Sequence, residues 1–408
     1  MDSFSAPMQP KVPNCPLLLE DQQQPAVELQ YEILDKLSRL SKAFGLLLVV
    51  MLCLNALTYM SLSNYIQNEM AYDNDELETM PEIPEREPNT KFLEYLEYNA
   101  EHGKRYDTRA ENLLRIQAYE ETSNNIENWN DADTHGDVTY GHNDLSDWTE
   151  EEFRKSLLPL SFYQRLHKEA EFIQPIPESM TKTQGEGAGQ YPDFFDWRDR
   201  NMVTPVKAQG KCGSCWAFAS TATVEAAWAI ANNGEHRNLS EQTLLDCDFA
   251  DNACDGGDED KAFRYIHRNG LAYAADLPYV AHRQNSCSVN SHWNTTRINV
   301  AYFIHPDEES IIHWLVNFGP VNIGMSVIQP MRAYKGGVFK PSKEACKNEV
   351  IGLHALLITG YGTSEDGEKY WIVKNSWGNT WGVEHGYIYF QRGVNACGIE
   401  EEPIGILA

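Results

Sequence analysis

The stretch Gln209-Gly-Lys-Cys-Gly-Ser-Cys-Trp216 runs straight into Ala217-Phe-Ala-Ser-Thr-Ala-Thr-Val-Glu-Ala-Ala-Trp-Ala-Ile-Ala231, and no other segment limits the possible folds of this chain so tightly. The second part is rich in helix formers with apolar residues at helical spacing, which predicts a buried helix over 216–231. Cys215 then falls in the first turn of that helix. Unpaired amides and the positive end of the dipole favour a thiolate there, lowering a pKa that is about 8.5 in free cysteine. A nucleophilic sulfur is the expectation, against the competing reading of a plain core cysteine in an Ala-rich helix.

A nucleophile of this kind needs a base. The segment Gly352-Leu-His-Ala-Leu-Leu-Ile-Thr-Gly-Tyr-Gly362 is an apolar run bounded by glycines, which predicts a buried strand with His354 near its start. Further on, Asn375-Ser-Trp-Gly-Asn-Thr-Trp-Gly382 offers Asn375 as an acceptor for the imidazole N–H. Cys, His and an orienting amide make the thiol version of the serine triad. His354 as a satisfied core histidine, and Trp377 and Trp381 as simple packing, are the competing readings.

With these motifs the chain resembles the papain family of cysteine peptidases, close to the cathepsins. The resemblance implies Cys215 as nucleophile, His354 as general base and then acid, and Asn375 as the orienting residue. It implies Gln209 as an oxyanion-hole donor and Trp377 as the indole that shields the His354–Asn375 bond. It also implies an α+β fold of two lobes, one helical and carrying Cys215, one β-barrel-like and carrying His354 and Asn375. Helical patterns at 216–231 and 258–268 and strand-like runs at 321–328, 354–360, 370–374 and 387–391 agree with it. No metal and no organic cofactor is implied.

Nine cysteines are present, and six besides Cys215 lie in the same region: Cys212, Cys247, Cys254, Cys287, Cys346 and Cys397. Their spacing leaves the connectivity open. The resemblance selects Cys212 with Cys254, Cys247 with Cys287, and Cys346 with Cys397, and bridges imply an oxidising compartment. Asn238-Leu-Ser240 and Asn294-Thr-Thr296 fit the N-glycosylation pattern of such a compartment. Cys15 and Cys53 are expected to be unpaired.

Upstream, Glu111, Arg115, Tyr119, Thr122, Ile126 and Asn130 fall at the positions of the helical E-x3-R-x3-F-x2-N-x3-I-x3-N motif of cathepsin L-like propeptides, with Tyr for Phe and Thr for the first Asn. Their spacings lay them on one helical face. Gly141-His-Asn-Asp-Leu-Ser-Asp147 matches the accompanying G-x-N-x-F-x-D element, with Leu for Phe. The resemblance implies an intramolecular inhibitor whose strand runs backwards through the substrate cleft. The expected order is residues 1–42 as a cytosolic tail, 43–62 as a transmembrane signal-anchor, 63–88 as a stalk, 89–155 as the inhibitory domain, 156–189 as its strand and cleavage linker, and 190–408 as the peptidase.

Residues 43–62 are predominantly apolar and long enough for one bilayer span, and 42 residues precede them, unlike an ordinary secretory signal. Lys36, Arg39 and Lys42 lie just before them, which places the tail in the cytosol and the enzyme in the lumen or outside. Tyr31-Glu-Ile-Leu34 resembles a tyrosine-based sorting signal. The formal charge of −27 argues against nucleic-acid binding and suits an acidic compartment. Protein or peptide substrates are the expected partners. By resemblance Gly213, Gly256 and Gly257 wall the S1 site. The S2 pocket, for the second residue before the scissile bond, takes Asp258, Glu259, Gly324, Leu353, Ala355 and, at its floor, Glu402. So acidic a set predicts tolerance of Arg or Lys besides Leu or Phe. The alternative function is a membrane-tethered inhibitor or scaffold protein.

Overall fold

The computed structural model describes residues 60, 90–133, 137–162, 170–181, 191–290 and 292–408. The expected cytosolic tail, sorting signal and stalk, Cys15, Cys53 and all of the apolar segment but Met60 lie outside them. Among the described residues no helix is long and apolar enough to cross a membrane. The chain divides after Arg86, and Glu87–Ala408 is one compact unit.

That unit opens with helices α1 (Thr90–Glu101) and α2 (Arg109–Ala132). Thr108 caps α2 by accepting the Glu111 N–H, and the motif residues Arg115, Tyr119, Thr122 and Ile126 lie buried along one side of it. Tyr119 meets Tyr98 of α1 at 4.9 Å between ring centres. Strand β1 (Val138–Tyr140) and the short helix α3 (Glu150–Lys155) follow. Thr149 and Glu152 close a reciprocal capping box on α3.

Two-residue strands β2 (Gln174–Pro175) and β3 (Phe195–Asp196) lead to α4 (Cys215–Ala231), α5 (Glu241–Cys247) and α6 (Glu259–Asn269). Helix α4 has Ala, Phe, Trp and Val on nearly every side and is buried almost throughout, as a helix apolar all round must be. The remaining elements are β4 (Val300–Phe303), α7 (Glu308–Asn317), β5 (Val321–Ile328), β6 (Tyr334–Phe339), α8 (Lys343–Asn348), β7 (Val350–Thr363), β8 (Lys369–Lys374), β9 (Tyr387–Gln391) and β10 (Ile404–Leu407). The strands form one mixed sheet ordered β1-β6-β9-β8-β7-β5-β10-β4-β2, with β3 paired to β7. The expected barrel-like lobe is the middle of this sheet.

Two large apolar cores result among the described residues. One gathers Trp371, Trp381, Trp314 and the inward residues of β5, β7 and β8; the other surrounds α4 with Trp216, Phe263, Leu244 and Ile266. Three disulfides, Cys212–Cys254, Cys247–Cys287 and Cys346–Cys397, staple helices and loops outside the sheet. Asn238 and Asn294 are exposed.

The upstream segment is built into both ends of the sheet. Strand β1 adds antiparallel to β6, and β2 adds parallel to β4. Between them residues 153–162 cross the molecule, with Leu158 paired to Leu353 through two backbone hydrogen bonds of 2.8 and 2.9 Å.

Candidate active site

Strand pairing brings the sequence-distant groups together. On β7, His354 lies opposite Met325 of β5; β8 ends at Lys374, so that Asn375 emerges beside it. His354 Nε2 donates to Asn375 Oδ1 at 2.7 Å, and the same oxygen accepts the Ser376 N–H at 2.7 Å. This fixes the ring with its proton on Nε2 and leaves Nδ1 as a lone-pair nitrogen that no hydrogen bond uses. The Trp377 indole stacks on the imidazole at 4.7 Å and 25°, covering that bond. Trp381 meets Trp377 edge-on at 4.9 Å and packs fully buried.

Cys215 is the first residue of α4 and the one free cysteine among the described residues. Its sulfur lies against the Ala355 backbone, next to His354. The covered cleft works against the expected thiolate. Burial pushes the Cys215 thiol up to about 12, and burial pushes the His354 imidazole down to about 4. Both charged forms lose hydration in a closed cleft, and that opposes the charge separation which the end of the helix favours.

What closes the cleft is the upstream segment. Gln209 is wholly buried; its Oε1 accepts the Ser376 hydroxyl at 2.7 Å, and its Nε2 donates to the Ser156 carbonyl at 2.8 Å. A backbone carbonyl thus sits on the amide expected to hold an oxyanion. Gly213 leaves room for this passage: a Cβ there would lie 2.5 Å from the Cys254 carbonyl oxygen and 3.2 Å from those of Lys155 and Leu157. Gly256 is at φ +115°, and a Cβ would strike the Phe162 ring at 2.9 Å. Gly257 backs onto Trp216.

Glu259, Gly324, Leu353, Ala355 and Glu402 line one cavity, together with Met325 and Ile404, and Leu158 and Phe162 enter it. Asp258 does not line it. It is the N-cap of α6, accepting the Lys261 N–H at 2.9 Å and pairing with Lys261 Nζ at 2.6 Å, so its side chain serves its own helix. Glu259, one residue later, is 4% exposed with Oε1 unpartnered. Burial, then the neighbouring Asp258 and Glu402 charges, raise its carboxyl to about 8.

The covering segment is held by side chains that the two motifs only partly mark. Asn143 Nδ2 donates to the Arg332 carbonyl at 3.0 Å, and the Arg332 guanidinium donates to the Leu145 and Trp148 carbonyls. Phe153, fully buried, meets Trp377 edge-on at 5.2 Å. Glu152 ties Arg115 on α2 to Lys211 beside the cleft.

Comparison with known proteins places these two parts separately. Residues 191–407 match the profile described as "Papain family cysteine protease", and residues 95–153 match "Cathepsin propeptide inhibitor domain". Cathepsin F of Drosophila melanogaster is 36% identical over 324 residues, covering 75% of this chain and 49% of its own length. Ananain of Ananas comosus is 35% identical over 78% of this chain and 88% of its own. The chain therefore spans about half of one such relative and most of the other. The solved digestive procathepsin L2 proteinase of Tenebrio molitor larval midgut superposes with a TM-score of 0.68 at 32% identity, over 78% of this chain and 100% of that one.

Proposed function

Because the chain belongs to the papain family of cysteine proteases and carries a cathepsin propeptide inhibitor domain, we propose that it is a cysteine-type endopeptidase made as a zymogen. Cys215 is the nucleophile, His354 the base and then acid, Asn375 the orienting residue and Gln209 an oxyanion donor. The Ser156 carbonyl seated on the Gln209 amide carries this reading, since a peptide carbonyl already occupies the place where a scissile one would be polarised.

Removal of residues 156–162 readmits water to the cleft and lowers the burial penalty on both charged forms. The Cys215 proton then passes to His354 Nδ1, and the helix end favours the thiolate. Its sulfur attacks the substrate carbonyl carbon, the oxyanion rests on Gln209, and His354 returns the proton to the leaving amine. Water activated by His354 hydrolyses the thioester. Hydrolysis of a Phe-Arg peptide reporter is expected to rise in step with loss of the zymogen; turnover by intact zymogen, or none after cleavage, counts against the reading.

Acid activation follows from one histidine more than from carboxylates. His142 stacks on Tyr119 at 4.4 Å with Nδ1 unpartnered, and burial, then His102 and Lys335, push its pKa down to about 4. Unfolded, it would titrate near 6.5, so as pH falls from about 6.5 towards 4 only the unfolded segment takes the proton and the folded one loses stability. Glu152 is held down to about 2 by Arg115, Lys211 and the Thr149 N–H against the cost of burial, so its contribution, present above about 4.5, is lost only as pH falls from there towards 2. At pH 5 His142 has acted and Glu152 has not. His142→Phe should lower the pH of half-maximal processing by about one unit; an unchanged pH profile would remove His142 from this role.

The acidic S2 pocket is proposed to accept Arg or Lys through Glu259 and Glu402. Ionisation of Glu259 rises with pH, so the ratio of Arg-Arg to Phe-Arg reporter turnover should rise between pH 5 and 7.5. Replacing both glutamates by Gln should cut that ratio about tenfold or more, and absence of any Arg-Arg turnover in the parent enzyme would refute the preference. From the sequence, residues 43–62 are proposed to anchor the zymogen with its enzyme on the lumenal or outer side of an endolysosomal or secretory membrane, and Asn238 and Asn294 to carry glycans.

A further inference from the structure

The chain between the covered cleft and the peptidase is gripped at a second place, and blocking the cleft requires none of it. Asp260, in the first turn of α6 and 4% exposed, accepts three successive backbone N–H groups, from Glu171 at 3.0 Å, Phe172 at 2.8 Å and Ile173 at 2.7 Å. Ile173 is 5% exposed and belongs to the core around α4; the Phe172 ring lies 5.1 Å from that of His267. Glu171 pairs with Arg264. Strand β2 then runs along β4 with Gln174 opposite Tyr302, and the Ile176 N–H donates to the Phe303 carbonyl at 3.2 Å. Ile176 and Met180 pack on the other core, so residues 170–181 bridge both.

Pulling this strap away would be costly in three separate ways. Asp260 would lose every N–H it accepts from the strap. The apolar socket of Ile173 would open, and the edge of β4 would be laid bare. Residues 156–162, by contrast, lie over a cleft that substrate refills.

We propose that residues 170–181 stay on the peptidase after the helical inhibitory domain and the cleft-covering stretch have been cut away, so that the active enzyme retains this strap as a structural piece. A cut upstream of Glu171 leaves it as an N-terminal extension; a second cut in 182–190 leaves it as a bound peptide. Retained, it covers the β4 edge and steadies the turn of α6 that carries Glu259 into the specificity pocket.

The test does not depend on Cys215 chemistry. A full-length Cys215→Ser chain carrying engineered protease sites at 163–168 and 184–189 is cut to completion at both, and its mass is measured under native and denaturing conditions. The expected result is a strap peptide seen separately on denaturation and bound to the peptidase in the native spectrum. Asp260→Ala should lower the bound fraction at least tenfold. Ile173→Asp, a change confined to the strap, should do the same even where the Asp260 variant fails to fold. A native peptidase without strap in the Cys215→Ser parent, or undiminished retention with Ile173→Asp, would overturn the proposal.

Discussion

Cys215→Ser is expected to lower reporter hydrolysis by about 10^4-fold or more, because losing the nucleophile leaves only binding and oxyanion stabilisation to act on the substrate. The variant should keep its fold: Ser is slightly smaller than Cys, and the site is buried against the Ala355 backbone. His354 should remain held by Asn375 at the same 2.7 Å contact. The chain should therefore accumulate uncut at pH 5 when no other protease is added. Residual turnover within tenfold of the parent enzyme would mean that another group attacks the carbonyl, and the roles given to Cys215 and His354 would fall together.

Arg115→Ala has the largest expected effect on the inhibitory segment. Arg115 is 5% exposed, donates to Glu152 Oε1 at 2.8 Å and to the Asp147 carbonyl at 3.1 Å, and lies 5.3 Å from the centre of the Tyr106 ring. It joins α2 to α3, and through Glu152 to Lys211 on the peptidase. Truncation takes from that half-buried carboxylate its guanidinium, leaving it Lys211 and the Thr149 N–H, and takes a donor from the Asp147 carbonyl, which costs about 1–3 kcal/mol. The inhibitory domain has a small core of its own, centred on Tyr95, Tyr98 and Tyr119, and a loss of that size is a large share of what so small a domain holds. Processing should then proceed at pH 7.5 as fast as the parent does at pH 5. A variant that stays intact at pH 7.5 would show that contacts on the peptidase, such as Phe153 on Trp377, hold the segment unaided.

The sequence made the proposed catalytic groups legible because each has a side chain with few other uses in its setting: Cys215 at a helix start, His354 on an apolar strand, Asn375 past the next strand, Gln209 before the cysteine. What blocks them was legible only as a segment, since the group seated on Gln209 is the carbonyl of Ser156, and every residue has one. The upward push on the Cys215 thiol was not legible, because it comes from the burial that the covering strand imposes and not from helix position. Asp258 was placed in the specificity pocket when it is the N-cap; the predicted helix 258–268 began one residue before the observed Glu259–Asn269, and that single step decides which acid faces the cleft. Strands β1 and β2 carry no periodicity of their own in three and two residues. They exist because the sheet edges at β6 and β4 supply partners, a tertiary cause that a local pattern does not record.

The most direct test of the central claim is intact mass spectrometry of the full-length chain after a shift to pH 5 in the presence of an epoxide-type thiol inactivator. The expected result is a shortened chain containing residues 191–408, carrying one adduct on Cys215, while a sample held at pH 7.5 stays long and unlabelled. An unlabelled Cys215 in a chain that has been cut would contradict the claim that this protein is a cysteine peptidase held silent by its own upstream segment.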